Sequence, residues 1–235
     1  MLSTIAGSAY AQEISIGFGD GTGVSERAVQ IVALITVLSL APSILVMVTS
    51  FTRIVVVLSL LRSAIGLQTA PPNAVMISLA LFLTAFIMAP TFETAYDEGL
   101  DPLIQGQIEF PEAFDATAAP FRGFMLAHVR EKDLQLFLDL TKGEQPETPG
   151  DISLRVLVPA FMISELRRAF EIGFLIYMPF IIIDLVVASV LMAMGMMMLP
   201  PVVISLPFKL IFFVLVDGWS LLAGSLVESF QIAVP

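Results

Sequence analysis

Two stretches of the chain are apolar almost without interruption, and a polar stretch divides them. Residues 28–88 and 172–227 form the apolar blocks, whereas residues 93–171 between them carry 15 acids and 7 bases. A helical bilayer crossing needs roughly 20 apolar residues, so each block is long enough for two. Each block is also divided by a double proline. In "GLQTAPPNAV", Pro71 and Pro72 precede Asn73, which is expected to cap a helix running to Met88. Farther on, Leu199-Pro200-Pro201 separates residues 174–198 from 202–227. Proline lacks a backbone donor and disfavours helix in the residue before it, so each block predicts a helical hairpin. The expected organisation is an N-terminal segment at 1–27 and a first hairpin at 28–92. An acidic segment at 93–171 follows, and a second hairpin at 172–235 carries a Met-rich loop at its turn.

The polar segment is helical by periodicity. "FRGFMLAHVREKDLQLFLDL" places Phe121, Phe124, Met125 and Val129 on one face, and Asp133 can begin a second helix bearing Leu134, Phe137 and Leu138. "KGEQPETPGD" reads as a loop. Pro159 suits the first turn of a helix through "AFMISELRRAF", which feeds directly into the second apolar block. The fold class is therefore an all-α membrane protein: two long apolar hairpins flanking a helical segment outside the bilayer.

Composition agrees with the pattern and removes several functions. Hydrophobic residues make up 57% and charged residues 14%, with a mean hydropathy of +0.92; a soluble domain this size needs far more polar surface. A net charge of −10 argues against a nucleic-acid partner, which requires clustered Lys and Arg. With no Cys and a single His, His128, disulfides, thiol chemistry and Cys/His zinc sites are excluded. The opening "MLSTIAGSAYAQE" has the small-x-small form of a signal-peptidase site at Ala9-Tyr10-Ala11. Its apolar part is short and no base precedes it, so it reads as a truncated signal ending near residue 11. Arg62 beside the first double proline, with no acid nearby, places that turn in the cytoplasm. The second double proline is then cytoplasmic as well, and the acidic segment lies outside.

Four charges interrupt the apolar blocks: Arg53, Asp184, Lys209 and Asp217. Each would cost at least ~2.5–3.5 kcal/mol in lipid and so needs a partner, water or a protein interior. Asp184 lies 16.5 positions before the centre of the Pro200-Pro201 turn and Asp217 lies 16.5 after it. Straight helices would set both about 25 Å from the turn, level with each other and able to share a proton. Structural ion pairing between packed helices is the favoured reading, since a dedicated transporter gathers such groups around a broken-helix midplane site. Arg53 suits a snorkelling position near the cytoplasmic side.

The remaining oddity is "MAMGMMMLPP", with five Met in the seven residues from Met192 to Met198. Methionine is unbranched and polarizable and fills changing gaps. Gly195 weakens helix by about 1 kcal/mol relative to Ala, so the cluster belongs at a helix end or loop. Physics alone ranks core or lipid filler first and a deformable seal around a pore second. A Cu(I) thioether site is third.

Several segments are similar to a known family. They are "TSFTRIVVVLSLLRSAIGLQTAPPNAV", "ALFLTAFIMAP", "FMLAHVREKDLQLF" and the run from "LVPAFMISELRRAFEIGFLIYMPF" through "MAMGMMMLPPVVISLPFKLIFFVLVDGW". Together they resemble the FliP family of flagellar type III export-gate proteins, which includes the matching subunit of virulence injectisomes. The resemblance spans about residues 28–230, and "SAIGLQTAPPN" with the long acidic segment looks more flagellar than injectisome-like. It implies a non-enzymatic subunit without cofactors in the bacterial inner membrane at the flagellar basal body, with the acidic segment periplasmic. Such a subunit assembles, typically as five copies, with FliQ and FliR into a helical gate alongside FlhA and FlhB, and passes unfolded flagellar subunits. Met196, Met197 and Met198 match the family's methionine constriction, which moves the seal ahead of filler. A proton-coupled small-solute transporter remains the alternative of a different class. The resemblance also implies that in the assembled gate the apolar helices are buried largely in one another, so that hydropathy reports insertion before assembly.

Overall fold

The computed structural model of the chain describes residues 23–67, 69–141, 148–196 and 198–231. All regular elements among the described residues are helical. The expected signal segment and the first six residues of the "KGEQPETPGD" loop lie outside the described residues. The chain divides into two units, 1–42 and 43–235. In the first, helix α1 (Gly23–Val48) begins, and the hydroxyls of Thr36 and Ser39 donate back to Val32 O and Ile35 O, each at 2.7 Å. That is how polar side chains are satisfied along an apolar helix without solvent.

The second unit holds the end of α1 and all later helices. The end of α1 meets α2 (Phe51–Ile65) at 81° across Thr49-Ser50. Helix α2 stops at Gly66, whose φ of 92° is cheap only for glycine. Gly66 N–H donates to Ser63 O and Leu67 N–H to Arg62 O, the paired closure of a Schellman motif. The first hairpin then returns through α3 (Asn73–Ala95). Asn73 differs from expectation. Pro72 occupies the cap position, and the Asn73 amide oxygen instead accepts a 2.5 Å hydrogen bond from Arg62 Nη1. Arg62 is thereby drawn onto the turn that the double proline makes.

Beyond α3, a π-helical turn (Tyr96–Leu100) and the short α4 (Asp101–Ile104) lead to α5 (Phe110–His128) and α6 (Glu131–Leu140). Gly99 in the π turn is buried against α5: a Cβ there would lie 2.1 Å from Thr117 Oγ1 and 2.7 Å from its backbone nitrogen. Gly123 on the same helix has nothing within 4 Å of such a Cβ. Gly99→Ala is therefore expected to cost ~1–3 kcal/mol by overpacking. Gly123→Ala is expected to gain up to about 1 kcal/mol from helix propensity. Thermal unfolding of the two purified variants checks both signs.

Helix α7 (Leu154–Ala193) is 40 residues long, about 60 Å. It starts earlier than Pro159 suggests. Ser153 is the cap, its hydroxyl oxygen accepting from Arg155 N–H, and Pro159 falls in the second turn. A short 3₁₀ turn at Pro149–Asp151 precedes it. After the Met-rich loop come α8 (Pro201–Leu215) and α9 (Gly218–Gln231), which meet at 63°. Asp217 at that bend has a φ of 50°, and Gly218 is packed so closely on Phe213 that a Cβ would lie 2.2 Å from its ring.

Each apolar block thus contains a long helix and a bent pair rather than two straight helices. The stretches Asn73–Ile104 and Leu154–Ala193 are long and apolar enough to cross a membrane, and each bent pair could supply one more crossing. One core joins α2, α3, α7, α8 and α9 through Ile54, Leu58, Ala80, Phe180, Phe213 and Leu226. A second, around Met125, Leu157 and Phe161, collects Phe121, Val129, Leu134 and Phe137, the residues whose periodicity predicts α5 and α6. One side of the far half of α7 stays bare, with Phe174, Leu175, Ile182, Leu185 and Val186 exposed. An apolar surface of that extent needs lipid or a partner.

Candidate functional site

The Met-rich loop is built by the end of α7. Gly195, with φ at 73°, closes the helix as Gly66 closes α2: its N–H donates to Met192 O, and Met196 N–H donates to Leu191 O. The chain leaves the helix axis there, and Pro200 and Pro201 begin α8. Of the three methionines that the resemblance assigns to a constriction, Met196 is 39% exposed and Met198 is 99% exposed; Met197 lies outside the described residues. Met192 and Met194 are exposed too. Flexible thioethers therefore project from the hairpin tip with little of their own chain against them.

Two ion pairs, one fully buried and one with a partly exposed acid, hold the helices that carry this loop. Lys209 on α8 is 3% exposed. Its Nζ lies 2.7 Å from Asp184 Oδ2 on α7 and 3.2 Å from Ala64 O at the end of α2. Asp184 Oδ1 also accepts from Ser205 Oγ at 2.5 Å. Asp184 therefore meets Lys209 rather than Asp217, for a simple reason. The loop residues are not helical, so the register must be counted from the helix ends. Asp184 stands nine residues before the last residue of α7, and Lys209 eight after the first of α8; both are about 12–14 Å from the loop. Asp217 sits farther along, exposed at the α8–α9 bend, and makes no ion pair with a described residue.

Arg53 does not snorkel. It is 0% exposed, as is its partner Glu165. Arg53 Nε donates to Glu165 Oε2 at 2.8 Å and Nη2 donates to Oε1, a bidentate pair between α2 and α7. Nη1 donates to Ser229 Oγ at 2.9 Å on α9, and the guanidinium lies 3.6 Å from the centre of the Phe230 ring. Beside it, His128 is buried with one ring nitrogen 3.2 Å from Phe230 O and the other 2.8 Å from Phe124 O. Ser164 accepts from Arg130 N–H and stands 2.8 Å from Asp133 Oδ2. These contacts join α2, α5, α6, α7 and α9 at one place.

Sequence reasoning missed Glu165 and Ser164 and the buried roles of Asp133 and His128, because all lie in the segment read as a polar helical stretch outside the bilayer, where Asp133 was expected only to begin a helix. A signal was present. Leu157, Phe161, Glu165 and Ala169 recur every four residues along α7, and all four are fully buried. An acid on that stripe has to be paired.

Known proteins are similar to this chain over most of its length. The FliP family profile matches residues 34–226. A Caulobacter vibrioides protein named flagellar biosynthetic protein FliP is 67% identical over 218 residues, covering 93% of this chain and 82% of the relative. Proteins of the same name from Bacillus subtilis and Aquifex aeolicus are 56% and 50% identical, covering 86% and 96% of this chain and 91% and 95% of their own lengths. With the profile spanning both hairpins and the segment between them, the chain belongs to the FliP family.

Proposed function

We propose that this chain is a pore-forming subunit of the flagellar type III export gate, a structural part of the export apparatus rather than an enzyme. Several copies, five in the arrangement the family resemblance implies, assemble with FliQ and FliR and work beside FlhA and FlhB in the bacterial inner membrane. The acidic segment faces the periplasm. Unfolded flagellar subunits pass through the assembly, and Met196, Met197 and Met198 of each copy form the constriction that limits leakage.

The observation that carries this reading is the loop after α7. Gly195 turns the chain away from the helix, and Met198 stands 99% exposed at the tip. Unbranched thioethers in that position can close on one another when the pore is empty and reshape around varied side chains. The bare apolar face of α7 supports burial against neighbouring copies and subunits. A proton-coupled solute transporter draws no comparable support, since Asp184 is already engaged by Lys209 and Ser205. The flagellar names of the relatives favour the flagellar gate over an injectisome.

Site-specific photo-crosslinking tests the pore assignment. A photoreactive side chain replacing Met198, in a flagellated host lacking its own copy, is expected to trap an export substrate stalled in transit. The same group replacing Leu140, exposed on α6, is expected to trap none. Export that continues with no substrate trapped at Met198 would remove the loop from the path.

A further inference from the structure

Between α2, α7, α9 and the start of α6 lies an open cleft of about 470 Å³, lined by Arg53, Arg130, Arg168, Glu171 and Ser229, with Ile172 and Leu175 as its apolar floor. Three of the bases around it have an acid on their own chain. Arg53 is engaged by Glu165, Arg167 by Glu171 at 3.0 Å, and Arg130 reaches Asp133 at 3.9 Å. The Arg130 contact is a poor one: Asp133 Oδ2 also stands 2.8 Å from the Ser164 hydroxyl, and Arg130 Nη1 has no hydrogen-bond partner. Arg168 is left over, half-buried and without an ion pair to any described residue. A half-buried guanidinium beside an under-paired one favours a carboxylate, which it can hold through two parallel hydrogen bonds. The cleft lacks one acid, in a chain whose net charge is −10.

Its position says where that acid comes from. Arg168, Ile172, Leu175, Met178 and Ile182 follow one another at three- or four-residue spacing, so they share one helix face. The cleft is the polar end of the bare apolar face, with Leu175 and Ile182 exposed, that the proposed assembly covers with a neighbouring copy. Whatever covers Leu175 also reaches Arg168. Copies arranged around a pore meet head to tail, one patch of each against a different patch of the next. Rotation about the pore axis keeps every residue at its own height, so the acid must stand level with the cleft on another side of the molecule. Glu228 does. It adjoins Ser229, which lines the cleft, and successive helix residues differ by about 1.5 Å in height while pointing to different sides. Glu228 is exposed and makes no ion pair with a described residue. Glu131 is also close in height, but Arg130 and Lys132 flank it, whereas residues 210–235 hold no Lys or Arg. We infer that Glu228 of one copy enters the Arg130–Arg168 cleft of the next, an ion pair repeated at each contact between copies. The inference rests on the proposed assembly of several copies around a pore.

The chain has no Cys, so introduced cysteines report the contact directly. Two differently tagged forms of the full chain, one with Arg168→Cys and one with Glu228→Cys, are co-expressed with FliQ and FliR and treated in the membrane with a short bismaleimide. A bifunctional reagent is needed because two long, paired side chains hold their Cα atoms farther apart than a disulfide spans. A linked pair carrying both tags is expected, and none when Leu140→Cys, exposed on α6, replaces Glu228→Cys. Charge reversal gives a second readout. Arg168→Glu sets like charges together and should lower the oligomer recovered about tenfold or more. Adding Glu228→Arg should restore it, which it would not do for a folding defect. No mixed-tag pair from an oligomer that forms normally overturns the inference and leaves the pore reading standing. A loss in Arg168→Glu that Glu228→Arg fails to restore also overturns it and gives the cleft to another subunit's acid. Links only between two Arg168→Cys copies would mean a two-fold contact, and that overturns it as well. A parent chain recovered only as a monomer overturns the assembly, and the inference with it.

Discussion

Glu165→Ala is expected to cost ~3–5 kcal/mol, enough to remove most folded protein from the membrane when a whole domain is stabilised by ~5–15 kcal/mol. The cause is what remains rather than what is lost. Arg53 is fully buried, and without the carboxylate its guanidinium keeps only Ser229 and the Phe230 ring as partners. An uncompensated buried charge is far worse than no charge, so the paired variant Arg53→Met with Glu165→Leu should recover much of the loss. Thermal unfolding in detergent, together with the amount of folded chain recovered from membranes, measures both variants. A single variant as stable as the parent would show that the Arg53 site is wet or that the ion pair does not hold α2 against α7.

The gross architecture was legible because it depends on quantities a sequence states directly. Apolar runs, double prolines and the Phe121–Val129 periodicity gave the hairpins and the helices between them. The bends were harder to see. The α8–α9 bend falls at Asp217-Gly218, a turn dipeptide hidden in an apolar run, and its sharpness comes from Gly218 packing on Phe213. The bend at Thr49-Ser50 carries no proline or glycine; Thr49 Oγ1 accepts from Phe51 N–H, and Thr52 Oγ1 donates to Val46 O across the break. The charged contacts illustrate the same limit. Lys209 could be matched to Asp184 only once the loop residues were known to be non-helical, because a register counted through the loop is wrong by several residues. Glu165 was readable from the stripe it shares with Leu157, Phe161 and Ala169, but its partner Arg53 lies 112 residues away, and no local pattern joins them.

The seal proposed for the methionine loop makes a second large and specific prediction. Replacing Met196, Met197 and Met198 by Ala removes three long, adaptable side chains from each copy, while Gly195, Pro200 and Pro201 still set the path of the loop. The fold has little reason to suffer, since Met196 and Met198 are exposed and little of their own chain is packed on them. The opening enclosed by the proposed assembly should widen. Replacement by Leu instead should keep the seal but hamper passage of bulky segments, because a branched side chain has fewer ways to move aside.

The measurement that bears most directly on the account is therefore leakage. The triple Ala variant, expressed in a flagellated host lacking its own copy, is scored for envelope leakage of a small solute and for filament export, after assembly of the complex has been confirmed. The account predicts a large rise in leakage with export retained. No rise in leakage from a fully assembled complex would contradict it, returning the methionines to filler and moving the closure of the pore to another subunit.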